Sequence, residues 1–375
     1  MKEFDADKKQ FIDNGFYLPE AKGEASYVDE NTLIISTDFG DGTMTTSGYP
    51  RQVKLWKRGT DLKDAQLIFE GNKEDVSSSG YIMRDGTLQY IMIGQGKTFY
   101  TSNTFVWIDN KRIQLDIPED SSAKGILNNQ LILQLKSDWT VNGQRLKNGM
   151  LVSLNFTDLI KGKKNIQTIV IPDEFSSINE VSTTKSKLLI SMLTNVTSQM
   201  SIYSFVKGKW SSQKVKVPAF GTASFVTTDD LSEQYYFNFQ NFITPSTLYA
   251  ADAGTNTFKK YQSLPAFFDA SKYEVKQFKA KSKDGTMVPY FMVYPKNINY
   301  DGTNPTLVYA YGGFEVSIEP FYSASIGTAW LEKGGVYVLA NIRGGGEFGP
   351  KWHQDGMKEK RQNVFDDLYA VSEDV

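Results

Sequence analysis

Cysteine is absent from the 375 residues and there is one histidine, His353. Thiol nucleophiles, disulfides, Cys-type zinc sites and a His-rich metal centre are therefore excluded, and any mechanism that needs histidine as a base has a single candidate. A carboxylate-only calcium site has one candidate, Asp38-Phe-Gly-Asp-Gly42, but Asp-Gly pairs more often make plain turns. No metal or cofactor is expected. What remains is a pair of glycine-rich stretches, Thr306-Leu-Val-Tyr-Ala-Tyr-Gly-Gly-Phe314 and Val336-Tyr-Val-Leu-Ala-Asn-Ile-Arg-Gly-Gly-Gly-Glu-Phe-Gly349. Each reads as a short buried strand ending in glycines, where the backbone turns sharply or lets another group come close. Such strand ends are where α/β proteins place their chemistry.

Gly344-Gly-Gly-Glu-Phe-Gly349 formally satisfies the dinucleotide fingerprint G-x-G-x-x-G. The fingerprint needs its third glycine inside a helix, yet Pro350 follows Gly349, and its acidic residue at a strand end, whereas Asp366 and Asp367 fall in a helical stretch. A nucleophile elbow, G-x-S-x-G, occurs nowhere in the chain. His353 reads as a helix-start residue beside Trp352, and Arg343 as a side chain that ties down loop carbonyls as readily as it meets a substrate.

The elements that must position these loops fall into two patterns. Before residue 266 the sequence repeats. One strand recurs as Asn31–Ser36, Thr87–Ile93, Asn129–Leu135, Ser186–Met192 and Glu233–Phe239, and a second as Val53–Trp56, Phe105–Ile108, Leu151–Leu154, Ile202–Phe205 and Thr247–Ala250. A third strand closes each unit at Gly71, Pro118, Pro172, Pro218 or Pro265. A Ser/Thr-rich strand, as in Ser176–Ser182 and Thr222–Thr227, then links to the next unit. Asp85-Gly86, Asn128-Asn129, Lys207-Gly208 and Ala253-Gly254 supply turns. Units of roughly 40 to 57 residues with about four strands each are the signature of β-propeller blades, since a small twisted sheet buries both faces only when packed radially on its neighbours. Five blades are visible, and Lys2–Phe11 reads as a strand of an earlier one, so the ring is expected to be incomplete at its N-terminal end.

After Pro265 the pattern becomes α/β. Tyr273–Lys281 and Met287–Tyr294 make an antiparallel hairpin. A buried strand over Thr306–Tyr311, a helical stretch near Ser323–Lys333, a second buried strand over Val336–Ile342 and a final helix from about Glu359 follow. Val364, Phe365, Leu368 and Val371 share one face of that helix. This is the opening half of an α/β-hydrolase sheet, in which the glycine loop after strand three helps to build an oxyanion hole and the nucleophile follows strand five. The expected domains are thus a β-propeller over 1–270 and a partial hydrolase domain over 271–375. A half sheet is expected to leave strand four as an unpaired edge, and so to make the chain poorly soluble without a complementary C-terminal chain.

Hydrophobic residues at 40% and charged residues at 22% are those of a soluble globular protein. A net charge of -2 argues against a nucleic-acid groove. No apolar run approaches membrane-spanning length, and Met1-Lys-Glu-Phe-Asp-Ala-Asp-Lys-Lys is not a signal peptide.

Tyr309-Ala-Tyr-Gly-Gly-Phe314, Ala340-Asn-Ile-Arg-Gly-Gly-Gly-Glu-Phe-Gly349, Trp352-His353 and Arg361-Gln-Asn-Val-Phe-Asp-Asp367 together resemble the prolyl oligopeptidase family of serine peptidases. The likeness extends upstream through Asp38-Phe-Gly40, Ser47-Gly-Tyr-Pro-Arg51 and Leu55-Trp-Lys-Arg-Gly59. It implies a seven-bladed propeller capping an α/β-hydrolase domain, and hydrolysis of short peptides preferentially after proline, with large folded substrates excluded. It matches Tyr311 to a hydroxyl donor of the oxyanion hole and Phe314 to an aromatic lining the proline pocket. The family's hydrolase segment ahead of the propeller has no counterpart here, and its triad would lie beyond Val375, so the chain alone is expected to be inactive. The cytoplasm is expected over the periplasm, the latter kept open by an N-terminus that reads as incomplete. The rival reading is a non-enzymatic propeller module that binds a peptide or protein partner, favoured if the reading frame ends at Val375.

Overall fold

A computed structural model describes residues 1–217 and 221–375; Pro218, expected to close the fourth repeat, lies outside them. The repeat region folds into five four-stranded sheets, spanning residues 24–70, 77–114, 122–170, 176–214 and 222–263. In each, sequence neighbours are sheet neighbours, as propeller blades require. The third sheet carries a small inserted hairpin, Trp139–Val141 with Gln144–Leu146. The Ser/Thr-rich strands Ser176–Thr183 and Thr222–Thr228 pair with Leu188–Thr194 and Gln234–Gln240. Each therefore opens the sheet that follows it.

Hairpin turns fix the registers. Asn128 and Asn129, with φ of 49° and 59°, and Lys207 and Gly208, with φ of 50° and 76°, are the left-handed pairs that two-residue loops need. Asn195-Val196 makes the same turn with a β-branched residue at φ 61°, a conformation that costs on the order of 1–3 kcal/mol. Val196 is fully buried among Phe242, Phe291 and Tyr337, which offsets that strain.

The chain divides into two compact units: Met1–Leu135 with Trp139–Gln144 and Val152–Gln167, and Lys136–Asp138 with Arg145–Leu151 and Thr168–Val375. In the first, Ile34, Val53 and Phe69 of one blade interlock with Ile93 and Phe105 of the next. Gly80 lies so close to Ile34 and Val53 that a Cβ there would come within 2.5 Å of both. The N-terminal stretch, expected as a strand of an earlier blade, is a hairpin of Phe4–Asp5 with Gln10–Phe11. It is tied down through Glu3, which accepts two hydrogen bonds of 2.8 Å from Arg58 and one of 2.7 Å from the Tyr27 hydroxyl. The Arg58 guanidinium, foremost, holds the Glu3 carboxyl down at about 2.

The second unit contains two blades and the C-terminal α/β segment. That segment has strands β1 (Tyr273–Lys281), β2 (Met287–Pro295), β3 (Thr306–Tyr309) and β4 (Val336–Ala340), with helices α1 (Ala324–Ala329), α2 (Pro350–Gln354) and α3 (Gln362–Asp374). The sheet order is β1-β2-β4-β3, with β3 and β4 parallel. Both faces of β2 and β4 are covered, as the continuous apolar runs of the sequence require. Val288, Tyr290, Met292 and Val338 meet Val364 and Val371 of α3 on one face. Phe291, Val293, Tyr337 and Leu339 meet Phe242 and Val196 of the blade turns on the other. On α3, Phe365, expected on the apolar face, is exposed, while Asp367 is fully buried. Among the described residues no helix is long and apolar enough to cross a membrane.

The sheet order corrects the expected edge. β4 is paired on both sides, because β3 crosses over to lie outside it, and β3 and β1 are the two edge strands of this sheet. Of the two edges β3 carries the more exposed apolar side chains, Leu307 and Tyr309 at more than two-fifths exposed, so the expected tendency to associate moves from β4 to β3. Leu307→Lys is expected to reduce concentration-dependent association of the purified chain, read by light scattering, with little change in melting temperature.

Candidate active site

The loop after β3 and the loop after β4 lie against each other backbone to backbone. Gly312 at φ 60° and Gly344 at φ 93° are both left-handed. A Cβ on Gly344 would fall 2.4 Å from the Gly312 carbonyl oxygen, and one on Gly312 2.7 Å from Ile342. Only glycine satisfies both the dihedral and the space. The contact is closed by Glu315 N–H donating to the Gly344 carbonyl at 3.2 Å. Arg361 Nη1 donates to the Gly312 carbonyl at 2.7 Å.

Arg343 anchors this arrangement from below. It is 4% exposed and meets carboxylates, which is neither of the two readings its sequence position offered, a tie to loop carbonyls or a contact with substrate; Arg361 is the residue that reaches a loop carbonyl. Its Nε and Nη2 donate to Asp367 at 2.9 and 2.6 Å, and its backbone N–H donates to the same carboxylate at 3.0 Å. Nη1 and Nη2 reach Asp284, in the β1–β2 turn, at 2.5 and 3.2 Å. The guanidinium, foremost, holds the Asp284 carboxyl down at about 2. One side chain thus joins the end of β4 to α3 and to the hairpin turn.

Asn341 and Glu347 clamp the far end of the first loop. Asn341 Nδ2 donates to the Ile318 carbonyl at 2.6 Å, and Glu347 Oε1 accepts from Ile318 N–H at 3.0 Å. Blade residues hold the next stretch. Asn179 Nδ2 donates to Glu319 at 2.8 Å, Thr222 Oγ1 to the Pro320 carbonyl at 2.7 Å, and Tyr322 N–H to Gln240 Oε1 at 3.2 Å. Burial, foremost, pushes both Glu319 and Glu347 up to about 7, and the neighbouring Glu180 adds to the effect on Glu319.

Against this fixed frame Tyr311 and Phe314 stand out into solvent, 46% and 76% exposed. Among the described residues no hydrogen-bond partner occupies the Tyr311 hydroxyl. The single histidine, His353, lies buried in α2, and burial pushes its imidazole pKa down. Asp38 turns its carboxylate back onto Gly40 N–H at 2.8 Å and Thr43 Oγ1 at 3.3 Å, as an ordinary turn does. Asp366 and Asp367 do sit on a helix, α3, and Gly349 precedes Pro350 at the start of α2.

Blades followed by a 1-2-4-3 sheet with two opposed glycine loops define a propeller joined to the start of a peptidase domain. The family model for the prolyl oligopeptidase N-terminal β-propeller domain matches residues 1–263, and that for the prolyl oligopeptidase family matches residues 322–375. The chain belongs to the prolyl oligopeptidase family. It is 42% identical to the uncharacterized peptidase y4nA of Sinorhizobium fredii, covering 100% of this chain and 53% of that protein. It is 29% identical to the prolyl endopeptidase of Elizabethkingia miricola, covering 98% and 51%. A solved post-proline cleaving enzyme from Rickettsia typhi superposes with a TM-score of 0.92 at 32% identity, covering 100% of this chain and 56% of that one. The chain spans about half the length of the curated relatives it matches.

Two outcomes are expected from the buried charges. Asp367→Ala strands Arg343 without its main partner and is expected to cost about 3–5 kcal/mol, seen in chemical denaturation of the unit that contains it. For Glu319 and Glu347 the folded pKa lies above the unfolded value. The folded state then holds extra protons between about pH 4.5 and pH 7, so stability falls as pH rises through that window and levels off above it. Melting temperatures measured across this range are expected to show that slope, and the double variant Glu319→Gln/Glu347→Gln to flatten it.

Proposed function

We propose that this chain is the propeller and the first part of the catalytic domain of a serine-type oligopeptidase that cleaves short peptides, preferentially after proline. The propeller occupies residues 1–270 as part of a larger ring and excludes large folded substrates, and residues 271–375 begin the hydrolase domain. The observation that carries the reading is the pair of glycine loops. They form a stiff backbone platform, with one phenol and one phenyl ring free to meet a ligand.

In this reading Tyr311 donates its hydroxyl to the oxyanion that forms on the scissile carbonyl. A donor fixed where negative charge develops lowers a barrier by about 3–4 kcal/mol. Phe314 offers its face to the substrate's proline ring, a flat apolar group suited to packing on an aromatic. The names of the relatives, a prolyl endopeptidase and a post-proline cleaving enzyme, support the substrate class. None of the 375 residues supplies a G-x-S-x-G serine, and His353 is buried whereas the two rings are exposed. By this proposal the chain alone does not turn over peptides, and the free side of β3 receives the strands of a complementary C-terminal segment that brings the nucleophile.

The test is a proline-containing chromogenic peptide. The purified 375-residue chain is expected to give no turnover, and measurable turnover blocked by a serine-reactive inhibitor overturns this. In a form of the protein that also carries a nucleophile elbow, Tyr311→Phe is expected to lower kcat by about 10²–10³, with KM for the same peptide little changed.

A further inference from the structure

Phe314 and Glu315 are consecutive non-glycine residues in the left-handed region, at φ 55° and 58°. Such conformations persist only where the surroundings over-determine them, and they cluster at functional sites. The Phe314 ring is 76% exposed, so its direction is set by the backbone that carries it and not by packing. That backbone is held at Glu315. Its N–H donates to the Gly344 carbonyl at 3.2 Å, and its carbonyl oxygen lies where a Cβ on Gly346 would be 2.4 Å away. Its carboxylate Oε1 accepts from Lys136 Nζ at 2.8 Å. The first two anchors are hydrolase backbone. The third arrives from elsewhere in the sequence, on the loop between the blade strands Gln130–Gln134 and Leu151–Asn155. Lys136 and Glu315 belong to the same compact unit.

We infer that Lys136 is a positioning residue, which orients Phe314 by pinning the side chain of Glu315 and so lets a blade loop set the shape of the proline pocket. The inference rests on the proposed reading for what Phe314 binds, but not for how Phe314 is held. The pair is part-exposed, at 31% for Lys136 and 26% for Glu315, so it trims a loop population and does not hold the fold together. His353 lies within the field of both charges, Glu315 raising and Lys136 lowering its proton affinity. Its titration by NMR therefore reports on the pair independently of any ligand.

The experiment uses the 375-residue chain and amide hydrogen exchange over residues 313–317. Lys136→Met and Glu315→Gln are each expected to speed exchange there about two- to fivefold, the range an exposed ion pair supports. The charge-swapped Lys136→Glu/Glu315→Lys is expected to restore protection. Unchanged exchange in Lys136→Met, or no recovery in the swapped pair, overturns the inference. In a catalytically complete form, Lys136→Met is expected to raise KM for proline peptides while leaving kcat near its starting value, a split that a general loss of stability does not produce. If exchange responds as expected but Phe314→Ala binds proline peptides as well as the unaltered protein, Lys136 still positions the loop and it is the pocket assignment that fails.

Discussion

Arg343 is the side chain on which the rest of the candidate site depends. A guanidinium almost fully removed from water is tolerable only when its donors are met by charge, and Asp367 and Asp284 meet them from α3 and from the β1–β2 turn. Because the Arg343 backbone N–H also ends on Asp367, the chain leaving β4 has one direction open to it. Gly344 then lies under Gly312, and the loop after β3 is set by contact with a backbone that is already fixed. Pairing of this kind adds little net stability compared with an apolar core of the same volume, but it specifies one geometry. For two loops packed backbone to backbone with no room for a Cβ at Gly312 or Gly344, specification is the property that matters.

The second support comes from the blades. Asn179, Thr222 and Gln240 meet the stretch from Glu319 to Tyr322, and Val196 and Phe242 fill the underside of the sheet. The blade turns are therefore part of the core of the α/β segment, and the strained turn at Val196 is the clearest sign of it. A valine at positive φ is retained where its side chain buries completely. The carboxyls of Glu319 and Glu347, set at this same junction without a cation among their named partners, make its stability depend on protons they would not hold in water.

Much of this arrangement was legible in the sequence, and the parts that were not have physical causes. The blades were readable because strand period and turn residues are local signals: Asn128-Asn129 and Lys207-Gly208 carry residues that tolerate positive φ, and here they adopt left-handed pairs. The glycine loops were readable for the same reason. The phase of the repeat was not, since Ser176–Thr183 declares its partner only through pairing with Leu188–Thr194. Nor was the free edge of the sheet, because chain order gives strands in sequence and pairing gives them in space. Ion pairs were the least visible. Lys136 and Glu315 are 179 residues apart, and nothing local to either marks the other. Asp367 carried a weak sign in its own position, an acid falling beside Val364 and Val371 on a helix face that should be apolar. A charge there is either an error of phase or the partner of a buried cation, and Arg343 at the end of an apolar strand was the matching sign.

The same physics explains why Tyr311 and Phe314 are exposed while everything beneath them is fixed. A side chain that must meet a ligand cannot satisfy its polar atom or bury its ring within the protein, so its orientation has to be supplied by backbone. Backbone can supply it only if its own hydrogen bonds are met and its dihedrals are forced. Here the Gly312 carbonyl ends on Arg361 and Glu315 N–H ends on the Gly344 carbonyl. The left-handed pair at Phe314-Glu315 leaves the ring little choice of direction. The strain at these residues and the burial of Arg343 are thus two sides of one arrangement, in which conformational freedom is removed from the platform so that it can aim the two exposed rings that stand on it.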